Sequence, residues 1–184
     1  MPKSTCLLAV SCLLVVLVGP GHTVCAQDAS SQAGGFRSEF LNHFANSTRK
    51  TLSLAEAIPA EKYSWRPGPG VMSVAEVLSH VAEADLHYLA ESLDRKWPAD
   101  LDARAIGKLR EKDQIVAALR KTFDFVQSTV EQMPDSDMDK TTKLYGRSSS
   151  YRNVLMQLLQ HSNEHVGQSI AYARMNGIAP PWSR

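Results

Sequence analysis

Residues 149–176 read SSYRNVLMQLLQHSNEHVGQSIAYARMN, and their spacing decides the fold. Val154, Leu155, Leu158, Leu159, Ser162, Val166 and Ile170 recur at intervals of three and four, which places them on one broad face of a helix. Gly177 stands where a helix end favours a residue tolerant of positive φ, and Pro180-Pro181 prevents continuation. His161 and His165 lie four residues apart on this helix, one turn apart on the same side. At ~100° per residue both fall within about 60° of Val154 and Leu158, so the pair points toward the interior. Two imidazoles at that spacing can share one divalent ion, and a buried polar pair needs such a partner or hydrogen bonds.

Working back from this helix, three more amphipathic stretches appear. Phe40, Leu41, Phe44, Leu52, Ala55 and Ile58 line one face of a helix over 36–58, closed by Pro59. The segment 59–72 holds Pro59, Pro67, Gly68, Pro69 and Gly70 and is irregular, with Tyr63 and Trp65 laid against the bundle. Ser73 and Glu76 form a capping box for a second helix running to about Leu93. Residues 94–111 are mixed and read as a long crossover or a short helix. A third helix runs from Lys112 to Met133 on Ile115, Val116, Leu119, Phe123, Val126 and Val130, and Pro134 stops it. Asp135–Ser148 is polar, and no stretch of the chain has a credible strand pattern. The expected fold is therefore all-α: a four-helix bundle over 36–184, with a long connection between the second and third helices.

The start of the chain is read separately. Lys3 precedes an apolar run, Cys6–Val18, then Gly19-Pro20-Gly21 and the small-residue site Val24-Cys25-Ala26. This is the pattern of a signal peptide, 1–26, followed by a flexible leader, 27–35, so the mature chain is expected to be secreted or periplasmic. The apolar run is shorter than the roughly 20 residues that span a bilayer, so no stable membrane insertion of the mature chain is expected. All three cysteines, Cys6, Cys12 and Cys25, fall in the expected signal peptide. Disulfides, thiolate metal sites and cysteine nucleophiles are thereby excluded from the mature protein. The chain carries 20 basic and 19 acidic residues. Without clustered excess base there is no nucleic-acid footprint. A small-molecule substrate is compatible with this balance, as is a homodimer.

Periodicity leaves the third ligand open. His80 sits at the flank of the second helix's apolar face, and His87 lies seven residues later on nearly the same line. His43, in the first helix, reads as a surface or core histidine. Three histidines from two helices suit zinc, nickel or ferrous ion, zinc foremost, and leave coordination positions open for chemistry. His161-Ser-Asn-Glu164-His165 also fits the inverted zinc-protease pattern, in which Glu164 would act as base, but the rest of such a protease is missing.

The chain resembles the DinB/YfiT-like superfamily of small metal-binding helical bundles. The resemblance rests on Tyr63-Ser-Trp65-Arg-Pro67, Met72-Ser-Val-Ala-Glu-Val-Leu-Ser-His80, His161-Ser-Asn-Glu-His165-Val-Gly-Gln168 and Tyr172-Ala-Arg174-Met-Asn-Gly177. It implies a metal held by His80, His161 and His165, which selects His80 over His87. It also implies Gly167 as a site of close helix packing and Gln168 as a donor behind the ligands. Glu164 and Tyr172 are the candidate catalytic helpers. Relatives of this kind include metal-dependent hydrolases and thiol-dependent transferases or isomerases. The expected function is thus a divalent-metal-dependent hydrolase using activated water. The alternatives are a thiol transferase or isomerase and a non-enzymatic metal- or ligand-binding protein. Export favours water, because low-molecular-weight thiols are scarce outside the cell.

Overall fold

The computed structural model describes residues 35–183. The signal peptide expected over 1–26, and all of the expected leader but Gly35, lie outside them. Five α-helices are present among the described residues: α1 (Phe36–Ala57), α2 (Val74–His87), α3 (Ala103–Ile106), α4 (Lys112–Glu131) and α5 (Tyr151–Met175). Among the described residues, no helix is long and apolar enough to cross a membrane.

The four long helices follow the apolar periodicity closely. They bury Phe40, Phe44 and Leu54 from α1, Leu78 and Leu86 from α2, Ile115 and Leu119 from α4, and Leu155 and Leu158 from α5 in one core. Helix α1 packs against α4 and α5, and α2 packs against the same two. Consecutive helices α1 and α2 therefore face each other across the diagonal of the bundle. That arrangement needs a long link, and residues 58–73 supply it. The connection from α2 to α4 is also long and holds the short α3, as the sequence suggested.

The stretch after α4 differs from expectation. Thr141–Leu144 (β1) and Arg147–Ser150 (β2) pair as an antiparallel hairpin, with Thr141 opposite Ser150 and Leu144 opposite Arg147. Its sequence, TTKL-YG-RSSS, is polar and mostly exposed, so no apolar alternation announced it. Tyr145 and Gly146 form the tip, with φ of 50° and 77°.

Local chemistry fixes the two helices that matter for the site. At the start of α2, Ser73 Oγ accepts from Glu76 N and Glu76 Oε2 accepts from Ser73 N, a complete capping box. The next free amides, Val74 N and Ala75 N, donate to the carbonyls of Trp65 and Tyr63 in the irregular link. The Tyr63 hydroxyl in turn donates to Ala55 O at 2.7 Å, so the link is anchored on α1. Helix α5 ends in a Schellman motif: Ile178 N donates to Ala173 O, Gly177 N donates to Arg174 O, and Gly177 has φ 76°.

Candidate metal centre

His80 lies two turns into α2, and His161 and His165 lie in the middle of α5. The packing of α2 on α5 brings the three rings together. His161 Nε2 is 3.1 Å from His80 Nε2 and 3.2 Å from His165 Nε2. All three rings are half-buried, with one nitrogen of each within 4.8 Å of the others. His43 is exposed, far from the role of ligand. His87 is turned aside: its Nδ1 meets Glu91 Oε1 at 3.0 Å and its ring stands edge-on to Trp97.

A chain of hydrogen bonds fixes the protonation of His165. The carbonyl of Met72 can only accept, so the Tyr172 hydroxyl donates to it, at 3.1 Å. Tyr172 Oη then accepts from Gln168 Nε2 at 2.9 Å. The amide oxygen of Gln168 is left facing His165 Nδ1 at 2.8 Å, so that nitrogen carries the proton. His165 Nε2 is consequently a bare lone pair aimed at the other two imidazoles.

This donor set fits a divalent ion. Tetrahedral zinc with Zn–N of about 2.0–2.1 Å requires nitrogens roughly 3.3 Å apart, close to the observed spacing. Hydrogen bonding alone is a poorer account, because one ring nitrogen carries at most one proton and His161 Nε2 faces two neighbours. Burial, with repulsion from the other two rings, pushes His161 down to about 4. Burial and then His165 lower His80 as well. Both rings are therefore neutral at ordinary pH, the form a metal ligand requires.

Behind the ligands, Ser162 Oγ donates to Asp85 Oδ1 at 3.2 Å, pinning α5 to α2 beside His161. Asp85 is completely buried, and that burial raises its carboxyl well above the usual range against the opposing effect of Ser162.

His80 and His161 also form part of the wall of a cavity of about 480 Å³. Its other walls are the α2 side chains Glu83, Ala84 and His87, then Tyr88, Glu91 and Ser92 of the π-helical turn that continues α2, and the hairpin tip Lys143–Gly146. The sequence-based expectations sort themselves against this cavity. Gln168 stands directly behind His165, but as an acceptor from its Nδ1 and not as the expected donor, because its amide N–H is taken by Tyr172. Tyr172 is buried behind the triad, its hydroxyl committed to Met72 and its ring edge-on to Trp65. Glu164 is exposed and accepts from Gln160. Gly167 is exposed with open space where a Cβ would stand, so it does not serve close helix packing. The reason is geometric: residue 167 falls on the outer side of α5.

Glu83 escaped the sequence reading. It follows His80 by three residues, a spacing that puts both on one face of α2, and this was the available signal. Its carboxylate lies against Gly107, where an added Cβ would meet Glu83 Oε2 at 2.4 Å.

A model of the DinB superfamily matches residues 43–169. The chain belongs to the DinB superfamily. This DinB chain is 24% identical over 143 residues to YjoA of Bacillus subtilis, an uncharacterized protein, covering 76% of this chain and 90% of that one. A DinB-like protein from Bacillus cereus superimposes with a TM-score of 0.68 at 22% identity, over 78% of this chain and 95% of that chain. YfiT from Bacillus subtilis superimposes at 0.61 and 15% identity, over 78% and 89%. That protein is described as a probable metal-dependent hydrolase with an unusual four-helix bundle topology. The structural likenesses show the fold.

Proposed function

We propose that this DinB-superfamily chain is a metal-dependent hydrolase whose ion, zinc foremost, is held by Nε2 of His80, His161 and His165. The observation that carries the reading is the convergence of three imidazole nitrogens at the wall of a cavity. A bound divalent ion supplies Lewis acidity there, with water as the nucleophile. The description of YfiT as a probable metal-dependent hydrolase supports the same class. So does the leader reading: an exported chain meets water in abundance and thiols rarely.

The chain's own residues supply the rest. Gln168 and Tyr172 hold the His165 ring by its Nδ1 proton. Glu83 accepts the proton released by the attacking nucleophile. It lines the cavity, forms no ion pair or hydrogen bond among the described residues, and is closer to this task than Glu164, whose carboxylate faces outward. Ala84 and Leu144 give the cavity an apolar lining suited to a small organic substrate.

The mature chain, loaded with zinc, is assayed against a panel of chromogenic esters, amides and phosphoesters. Turnover is expected that disappears in the His161→Ala, His165→Ala variant and falls roughly 10²-fold in Glu83→Gln with zinc content unchanged. Turnover equal in the metal-free protein, or none from any member of the panel, overturns the reading.

A further inference from the structure

Two departures from regular backbone flank the cavity, and they deliver tyrosines to the same point. The turn after α2 widens into a π-helix at Tyr88–Ser92, a form frequent at functional sites. The hairpin tip places Tyr145 in the left-handed region at φ 50°, followed by Gly146 at 77°. Such a tip favours Asn-Gly, and a bulky ring there is strained. Packing does not explain the choice, because Tyr145 is 72% exposed. Its hydroxyl meets the Tyr88 hydroxyl at 2.5 Å, and the Tyr88 ring stands edge-on to His161 with centroids 5.8 Å apart.

Proton accounting gives the pair a function. Two phenols carry two protons, and the bond between them uses one. Gln157 donates to the Tyr88 oxygen and takes up no phenol proton, so the other remains free to donate, and its donor is polarised by the neighbouring hydroxyl. Tyrosine is neutral at ordinary pH, so the pair offers a donor and no charge. Glu83 and Glu91 outnumber the single cation, Lys143, on the wall, which disfavours anions, and the surface exposed to the cavity is mostly apolar. An uncharged acceptor oxygen is the complementary group.

We propose that Tyr88 and Tyr145 anchor the carbonyl oxygen of a small, uncharged, largely apolar acyl compound in the cavity beside the histidine triad. The identity of the ligand as a substrate rests on the hydrolase reading; the anchoring itself rests on the cavity.

The test uses the metal-free mature chain and three probes: ¹³C-carbonyl benzamide, benzoate and benzylamine. Benzamide is expected to bind saturably, with its carbonyl stretch moved to lower frequency in isotope-edited infrared spectra. Tyr88→Phe should remove that shift and weaken binding about tenfold. Tyr145→Asn, which suits the turn, should raise the thermal midpoint while shrinking the shift, a combination that misfolding does not produce. No saturable benzamide binding, an unchanged carbonyl band in both variants, or tighter binding of benzylamine or benzoate than of benzamide overturns the proposal. A Tyr88-dependent shift in a protein that turns over no member of the ester, amide and phosphoester panel would sink the hydrolase reading and leave the anchor standing. Ester turnover without the shift would do the reverse.

Discussion

Gln168 and His165 are joined by one hydrogen bond, Oε1 to Nδ1 at 2.8 Å, and that bond decides which nitrogen of the imidazole is bare. Because Tyr172 fixes the amide's orientation and Met72 fixes the hydroxyl's, the proton on Nδ1 is set by groups that never touch the ion. Gln168→Leu is expected to lower zinc affinity roughly 10–100-fold, measured by competition with a chromophoric chelator. Gln168→Glu, which still accepts from Nδ1, should retain most of it. Wild-type affinity in the Leu variant would remove the role assigned to Gln168.

The ligand assignment itself predicts a separation of metal binding from helix content. The apolar faces of α1, α2, α4 and α5 form the core without the imidazoles. His161→Ala with His165→Ala should abolish tight metal binding, read by elemental analysis, while circular dichroism shows most of the helix retained. Equal metal content in variant and parent would dismiss the triad.

Burial holds His161 near 4 in the fold, below its value of 6.5 in an open chain. A depressed histidine favours the neutral form, so the unfolded chain takes up protons first as pH falls. The stability His161 contributes is complete above pH 6.5 and is lost between 6.5 and about 4. In urea titrations of the metal-free protein, the midpoint should drop across this window, and His161→Gln should drop less. Parallel curves for the two proteins would contradict the assignment.

Asp85 acts with the opposite sign. Its carboxyl is raised above 3.8 by complete burial, so the folded state holds its proton longer than the unfolded one. Stability from this residue is greatest below pH 3.8 and declines as pH rises through the folded value. Asp85→Asn should therefore gain on the parent as pH rises, visible as a widening difference in thermal midpoints. A difference that stays flat with pH would show that Asp85 does not titrate in this way.

Gly167 lies inside the continuous helix α5, with no packing neighbour within 4 Å of where a Cβ would stand. A helix-interior glycine costs about 0.5–1 kcal/mol relative to alanine. Gly167→Ala should stabilise the protein by that amount in denaturant unfolding, and a destabilised variant would reveal an unseen constraint at this position.

The long helices were legible because burial imposes a period on sequence. The Lys112–Met133 expectation meets α4 at Lys112–Glu131, and the Ser73–Glu76 capping box is present as read. The His161/His165 pair followed from spacing, whereas His80 needed family resemblance, since His87 shares its line on the helix and pairs locally with Glu91 four residues on. The hairpin was invisible because all its strand residues but Leu144 are polar and exposed or half-buried, and its tip is Tyr-Gly in place of a strong turn signal. Glu83 was hidden for a different reason. A glutamate three residues after a histidine is ordinary on a helix surface, and only the packing of α2 against α5 and the hairpin makes that surface the wall of a cavity.

His80 and His161 are separated by 81 residues of chain, and the described bundle contains no cysteine to brace such distant positions covalently. An ion gripped between them is a removable rivet. Its strengthening effect follows mass action, about 1.4 kcal/mol for each tenfold rise in free ion above the dissociation constant. The durability of the protein then becomes a gauge of ion supply in its surroundings: the same chain is sturdy where the ion is plentiful and soft where it is scarce.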